Sequence, residues 1–131
     1  WKAAPVLGTL ALGMVLGTIG LPGLSGFVGE FTIMQGAWLS SEIGYGYVAF
    51  AVIGVILAAV YLLRVYRLAF MGDTTPETAQ TPDLRPRELV MLVALLLPTI
   101  AIGLYPSLVL GPMQTSVQQI ADGISAVLVS R

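Results

Sequence analysis

Glu30 is the only charged residue between Ala3 and Ser41. It follows directly on a Gly/Pro-rich interruption, Gly20-Leu21-Pro22-Gly23-Leu24-Ser25-Gly26-Phe27-Val28-Gly29-Glu30-Phe31. A charged side chain in such apolar surroundings costs on the order of 3 kcal/mol or more at membrane depth unless a partner or water compensates it. The chemistry open to a carboxyl there is proton or cation transfer. Desolvation favours the neutral acid, whereas a helix N-terminus, a nearby cation or water favours the carboxylate. A group held between these effects can take up and release protons, which is what a relay requires. The plainer alternative is a carboxyl that hydrogen-bonds a neighbouring helix or caps backbone groups. Thr18, Thr32 and Gln35 lie close enough in sequence to line a wet path past Glu30. For each of them, ordinary interhelical hydrogen bonding is the competing reading.

The interruption has a physical meaning of its own. In hydrocarbon every backbone N–H and C=O needs a partner, so irregular backbone persists there only when buried in protein or lining a wet cavity. Membrane transporters place ion sites at such breaks, where half-helix ends and freed peptide groups can solvate charge. Leu21, Pro22 and Gly23 mark the break, and Ser25 or Gly26 is placed to cap the helix that restarts. Glu30 then falls just past the first turn of that second helix.

The whole chain fits a membrane setting. Of its 131 residues 56% are hydrophobic and 10% charged, against about 25% charged in soluble domains, and its mean hydropathy is +0.90. The expected fold class is therefore an all-α polytopic membrane protein. Six Lys/Arg balance seven Asp/Glu, which leaves no basic patch for nucleic acid. The chain has neither His nor Cys, so the commonest ligands of zinc, haem and iron–sulfur groups are missing and no metal site is expected. It begins Trp1-Lys2-Ala3 next to an apolar run, which reads as a piece of a longer polytopic chain or the product of a split gene.

Three apolar zones divide the chain. Residues 3–39 read as a broken transmembrane helix interrupted at 20–26, residues 43–71 as a second transmembrane helix, and residues 89–110 as a third, kinked at Pro98. Residues 72–88, with Pro76, Pro82 and Pro86, form an irregular loop, and residues 112–131 an amphipathic tail. The first zone is either one crossing made of two half-helices or a hairpin that crosses twice. Arg64, Arg67, Arg85 and Arg87 flank the 72–88 loop and put it on the cytoplasmic side. Lys2 falls on that same side only if the first zone crosses once, so a broken single crossing is expected, with the C-terminus outside. Gly13 and Gly17 form a small-xxx-small pair suited to close helix approach. Trp38, Tyr45, Tyr47 and Tyr105 fall near the outer boundary, as interfacial aromatics do. Glu42, Asp73, Glu77 and Asp83 read as solvated loop charges, and Glu88 as a cap for the third span.

The residues Gly20–Phe31 closely resemble the broken twelfth helix of subunit M, the antiporter-like subunit 4 equivalent, of proton-pumping NADH-quinone oxidoreductase (respiratory complex I). Tyr61-Leu62-Leu63-Arg64-Val65-Tyr66-Arg67-Leu68-Ala69-Phe70-Met71-Gly72 is similar to the end of that family's thirteenth helix, and the last apolar span to its fourteenth. The resemblance implies a C-terminal part of that subunit, with Glu30 matching the terminal, exit-side proton relay. Related antiporter-like subunits and multi-subunit sodium/proton antiporters usually carry Lys at this place. A subunit of such an antiporter is the alternative reading, and a structural membrane fragment a further one. The resemblance also implies partners and a location: the lipid bilayer, other membrane subunits including neighbouring antiporter-like ones, and a bacterial cytoplasmic membrane. NADH, FMN, iron–sulfur clusters and quinone would then belong to other subunits.

Overall fold

The computed structural model describes residues 2–73, 75–76, 78–80 and 82–129; Glu77 lies outside these, as do the last two residues of the tail and the side chain of Leu128. All its regular elements are helical: α1 (Pro5–Ile19), α2 (Ser25–Leu39), α3 (Gly44–Phe70), α4 (Pro86–Leu104) and α5 (Ser107–Val129), with one short 3-10 turn at Thr78–Gln80. The 27-residue α3 and the 19-residue α4 are both long and apolar enough to cross a membrane. At 1.5 Å per residue α4 is about 29 Å long, close to the ~30 Å hydrocarbon thickness. The 15-residue α1 and the 15-residue α2 are each too short to cross alone, at about 22 Å.

The helix starts follow local chemistry. Proline opens both α1 and α4, where its missing N–H costs nothing. Glu88 caps α4 as expected, its Oε2 accepting the Arg85 N–H at 2.9 Å. Ser40 accepts from the N–H groups of Glu42 and Ile43 through its hydroxyl, which turns the chain from α2 into α3.

α1 and α2 both pack on α3. Near the C-terminal end of α3, the Tyr66 hydroxyl donates to the Gly8 carbonyl of α1 at 3.0 Å. Near its N-terminal end, Val48 and Val52 share a cavity wall with Phe31, Met34, Gln35, Trp38 and Leu39 of α2. Tyr66 and Val48 are about 27 Å apart along a helix. The start of α1 and the end of α2 thus meet α3 at opposite ends. At the α2–α3 turn, Trp38 packs on Tyr45 with ring centroids 4.5 Å apart.

Two boundaries differ from expectation. The break is shorter than 20–26, because α2 already starts at Ser25. The last apolar run is split, since α4 ends at Leu104 rather than continuing to Leu110, and Leu108–Leu110 belong to α5. The cause is Pro106, whose ring disfavours helical geometry at the residue before it; Tyr105 accordingly sits at φ −127° and ψ 71°. Pro98 and Pro112, by contrast, lie inside α4 and α5.

Candidate functional site

The break is built from two local motifs placed end to end. Gly20 takes the left-handed conformation, φ 79°. Its N–H donates to Gly17 O at 3.4 Å, and the Leu21 N–H reaches back to Leu16 O at 3.1 Å. That bond pair is a Schellman closure, which satisfies the last carbonyls of a helix and favours glycine at the left-handed position. Leu21-Pro22-Gly23-Leu24 then forms a turn closed by the Leu24 N–H on Leu21 O at 3.0 Å, with Gly23 at φ 94°. Proline second and a positive-φ glycine third match a type II turn. The donors of Gly20, Leu21 and Leu24 are thus paired within the break itself, which lets it persist in apolar surroundings. Neither Ser25 nor Gly26 caps α2. Leu24 occupies the cap position, without a side-chain hydrogen bond.

Two glycines from other turns close on this break. A Cβ built on Gly26 would collide with Gly17 O and lie 3.3 Å from the Gly20 Cα. A Cβ on Gly103 would collide with the Gly23 carbonyl and the Leu24 Cα. The first turn of α2 therefore rests on the end of α1, and the end of α4 rests on the turn. Lower down, Gly13 and Gly17 face Leu96 and Thr99 of α4, at 3.3 and 3.0 Å from an added Cβ, so the small-xxx-small pair does serve close helix packing.

Glu30 is the sixth residue of α2 and half-buried. Its carboxyl lies over Gly20. A Cβ at Gly20 would stand 2.6 Å from Oε2, 3.1 Å from Cδ and 3.4 Å from Oε1. A helical side chain covers the turn N-terminal to its own Cα; for Glu30 that turn holds Gly26, the residue resting on Gly20. The carboxyl is therefore next to the C-terminal end of α1 as well as near the N-terminal end of α2, where the two helix dipoles present opposite partial charges. Phe27 and Phe31 stack one turn apart on α2, ring centroids 5.3 Å apart.

The other polar residues singled out by sequence have contacts of their own. Thr18 and Thr32 each donate their hydroxyl to the carbonyl four residues back, Met14 O at 3.0 Å and Val28 O at 2.6 Å. Such back-bonding uses the hydroxyl proton and leaves only acceptor capacity. Gln35 lines the α2–α3 cavity with Trp38 and Val52, whereas Thr32 lines a different one, against Met113, Gln114 and Val117 of α5. Among the described residues no group of three or more His, Cys, Asp or Glu is present.

Asp83 is not a free loop charge. Its carboxylate accepts the N–H of Val6 at 3.0 Å, of Leu7 at 3.2 Å and of its own neighbour Leu84 at 2.8 Å. The Val6 N–H is the main cause that holds this carboxyl below its usual range; partial burial opposes the shift, and the Leu84 and Leu7 N–H groups add to it. Asp83 thereby caps α1, whose own cap residue, Ala4, has no side-chain oxygen to offer. The sequence signal was there: Lys2-Ala3-Ala4-Pro5 opens a helix without a Ser, Thr, Asp or Asn before it, so a cap had to come from elsewhere. Gly20 also carried a signal, a glycine two residues before a proline at a helix end. Gly103 carried none.

No family model matches the chain. Curated relatives do. The chain is 38% identical over 120 residues, 86% of its length, to an NAD(P)H-quinone oxidoreductase chain 4 of Picosynechococcus sp.. It is 37% identical over 117 residues, 88% of its length, to the NADH-quinone oxidoreductase subunit M of Rickettsia felis. It is 36% identical over 134 aligned positions, 97% of its length, to a chain 4 protein of Trichormus variabilis. The chain spans about a quarter of the length of these relatives, covering 22%, 23% and 25% of them respectively.

Proposed function

Because this chain belongs, over the segment it shares with them, to the NADH-quinone oxidoreductase subunit M / chain 4 proteins, we propose that it forms part of a proton-translocating membrane subunit of such a complex, with Glu30 as a proton relay on the exit side. The observation that carries this reading is the placement of Glu30. The only charge of the broken crossing sits on the break, over Gly20, where two helix ends meet. The carboxyl is half-buried there, beside the C-terminal end of α1. Pro22 and Gly23 hold the break open, and Gly103 braces it from α4. The Thr18 and Thr32 hydroxyls are back-bonded to their own helices and Gln35 lines the α2–α3 cavity. We assign the station on this chain to Glu30 and the remaining stations to other parts of the subunit.

The broken crossing, α3 and α4 lie across a bacterial cytoplasmic membrane, with the 72–88 loop and Lys2 inside and the tail outside. This orientation is supported by Arg64, Arg67, Arg85 and Arg87 at the loop side and by Trp38 and Tyr45 packed at the other. Partners are the other membrane subunits, neighbouring antiporter-like ones among them, and lipid. The redox work implied by the relatives' names needs NADH, FMN, iron–sulfur clusters and quinone. A chain without Cys or His is poorly equipped to ligate a cluster, so we assign these groups to other subunits. The test is Glu30→Gln in the full-length subunit. The complex is expected to assemble and oxidise NADH while proton pumping per electron falls; unchanged pumping would overturn the reading.

A further inference from the structure

We propose that Gly20 and Gly26 form a side-chain-free seat for the Glu30 carboxyl, and that Gly20 is a positioning residue for proton transfer rather than only a helix stop. The proposal rests on the relay reading of Glu30 and deepens it. Gly26 has no Cβ, so the first turn of α2 can lie directly on Gly17 O and Gly20. Glu30 is one turn further along α2, on the face above Gly26, and its side chain runs back over that face. What it meets there is the bare Cα of Gly20, with Oε2 occupying space that any Cβ would need. The left-handed conformation of Gly20 explains a glycine by itself, since other residues pay strain at φ 79°. It does not explain why the space beside that glycine is filled by the one carboxyl of the crossing.

Gly23 separates the two roles. It is also at positive φ, 94°, and a Cβ there would meet nothing within 4 Å. Gly23→Ala therefore imposes backbone strain alone, whereas Gly20→Ala imposes strain and displaces the carboxyl. In the assembled complex with the full-length subunit, Gly20→Ala is expected to lower proton pumping per NADH oxidised by on the order of tenfold, the scale of a reacting group misplaced by a fraction of its reach. It should also shift the pH at which pumping is half-maximal. Gly23→Ala is expected to cost less pumping and to leave that midpoint in place. Adding Glu30→Gln to Gly20→Ala should cost little beyond the single changes, because neighbours acting through one group are not additive.

Equal losses in Gly20→Ala and Gly23→Ala, with no change in the pH midpoint, would overturn the seat. Full additivity of Gly20→Ala and Glu30→Gln would overturn it too. If Glu30→Gln alone pumps normally, it is the relay reading that fails. Should Gly20→Ala not assemble, Gly20→Asn serves in its place, since asparagine tolerates the left-handed region yet still carries a Cβ.

Discussion

At Gly20–Leu24 the chain stops one helix and starts another with two positive-φ glycines, a Schellman closure and a proline turn. At Tyr105–Pro106 it stops α4 and starts α5 with no glycine at all, only a proline and the non-helical residue before it. The first interruption is gripped by Gly26 and Gly103 and holds a carboxyl. The second opens onto a helix that, among the described residues, packs closely only on α4 and leaves Leu108, Met113, Val117, Ile120 and Ile124 exposed. Proline alone is not what makes the difference, because Pro98 and Pro112 both sit inside continuous helices. Positive-φ glycines together with glycine contacts from neighbouring turns make a break whose geometry is fixed. A fixed break can hold a reactive group in one place.

The comparison can be broken most directly at Gly103. Gly103→Ala puts a methyl into the Gly23 carbonyl and should destabilise the subunit by about 1–3 kcal/mol, read as a lower Tm of the purified complex and weaker pumping. An unchanged Tm would mean that α4 does not grip the break. Tyr66→Phe is the next largest. It leaves Gly8 O without its partner across α1 and α3 and should cost about 0.5–1.5 kcal/mol, measured in the same unfolding experiment. On the far side of the comparison, Gly123 lies in α5 with open space where a Cβ would go. Gly123→Ala should stabilise slightly, by about 0.5–1 kcal/mol, because alanine is the better helix former. A destabilisation as large as that of Gly103→Ala would show that α5 is gripped after all.

The smallest effect is the pH response of the α1 cap. The Asp83 carboxyl is held below its ordinary value of 3.8, so its contribution is complete above that value and is lost as pH falls through the lowered one. Asp83→Asn should lower Tm slightly near neutral pH, where the carboxylate's contribution is complete, and change it little at the acid end, so that the acid limb of the Tm–pH curve flattens. An identical acid limb in both proteins would remove Asp83 from that role.

Much of this was legible in the residues. Glu30 stood out because it is alone among apolar neighbours, and Leu21-Pro22-Gly23 because glycine and proline punctuate helices locally. The expectation of a single broken crossing rests on segment length and on the side on which Lys2 and the arginines fall. The hydropathy pattern could not reveal the stop at Tyr105, since apolar residues continue to Leu110 while the backbone does not. Asp83 looked like a loop charge because its partners, Val6 and Leu7, are 77 and 76 residues away. The seat under Glu30 was hidden for the same reason. Gly20, Gly26 and Gly103 matter for what they lack, and only the tertiary arrangement shows which atoms come into the space.

The central claim, that Glu30 changes protonation during turnover, is tested most directly by infrared difference spectroscopy on the complex as it oxidises NADH. The account predicts a carboxylic C=O signal that appears and disappears with turnover and is missing in Glu30→Gln. Persistence of the same signal in Glu30→Gln, or its absence from the pumping wild-type complex, would contradict it.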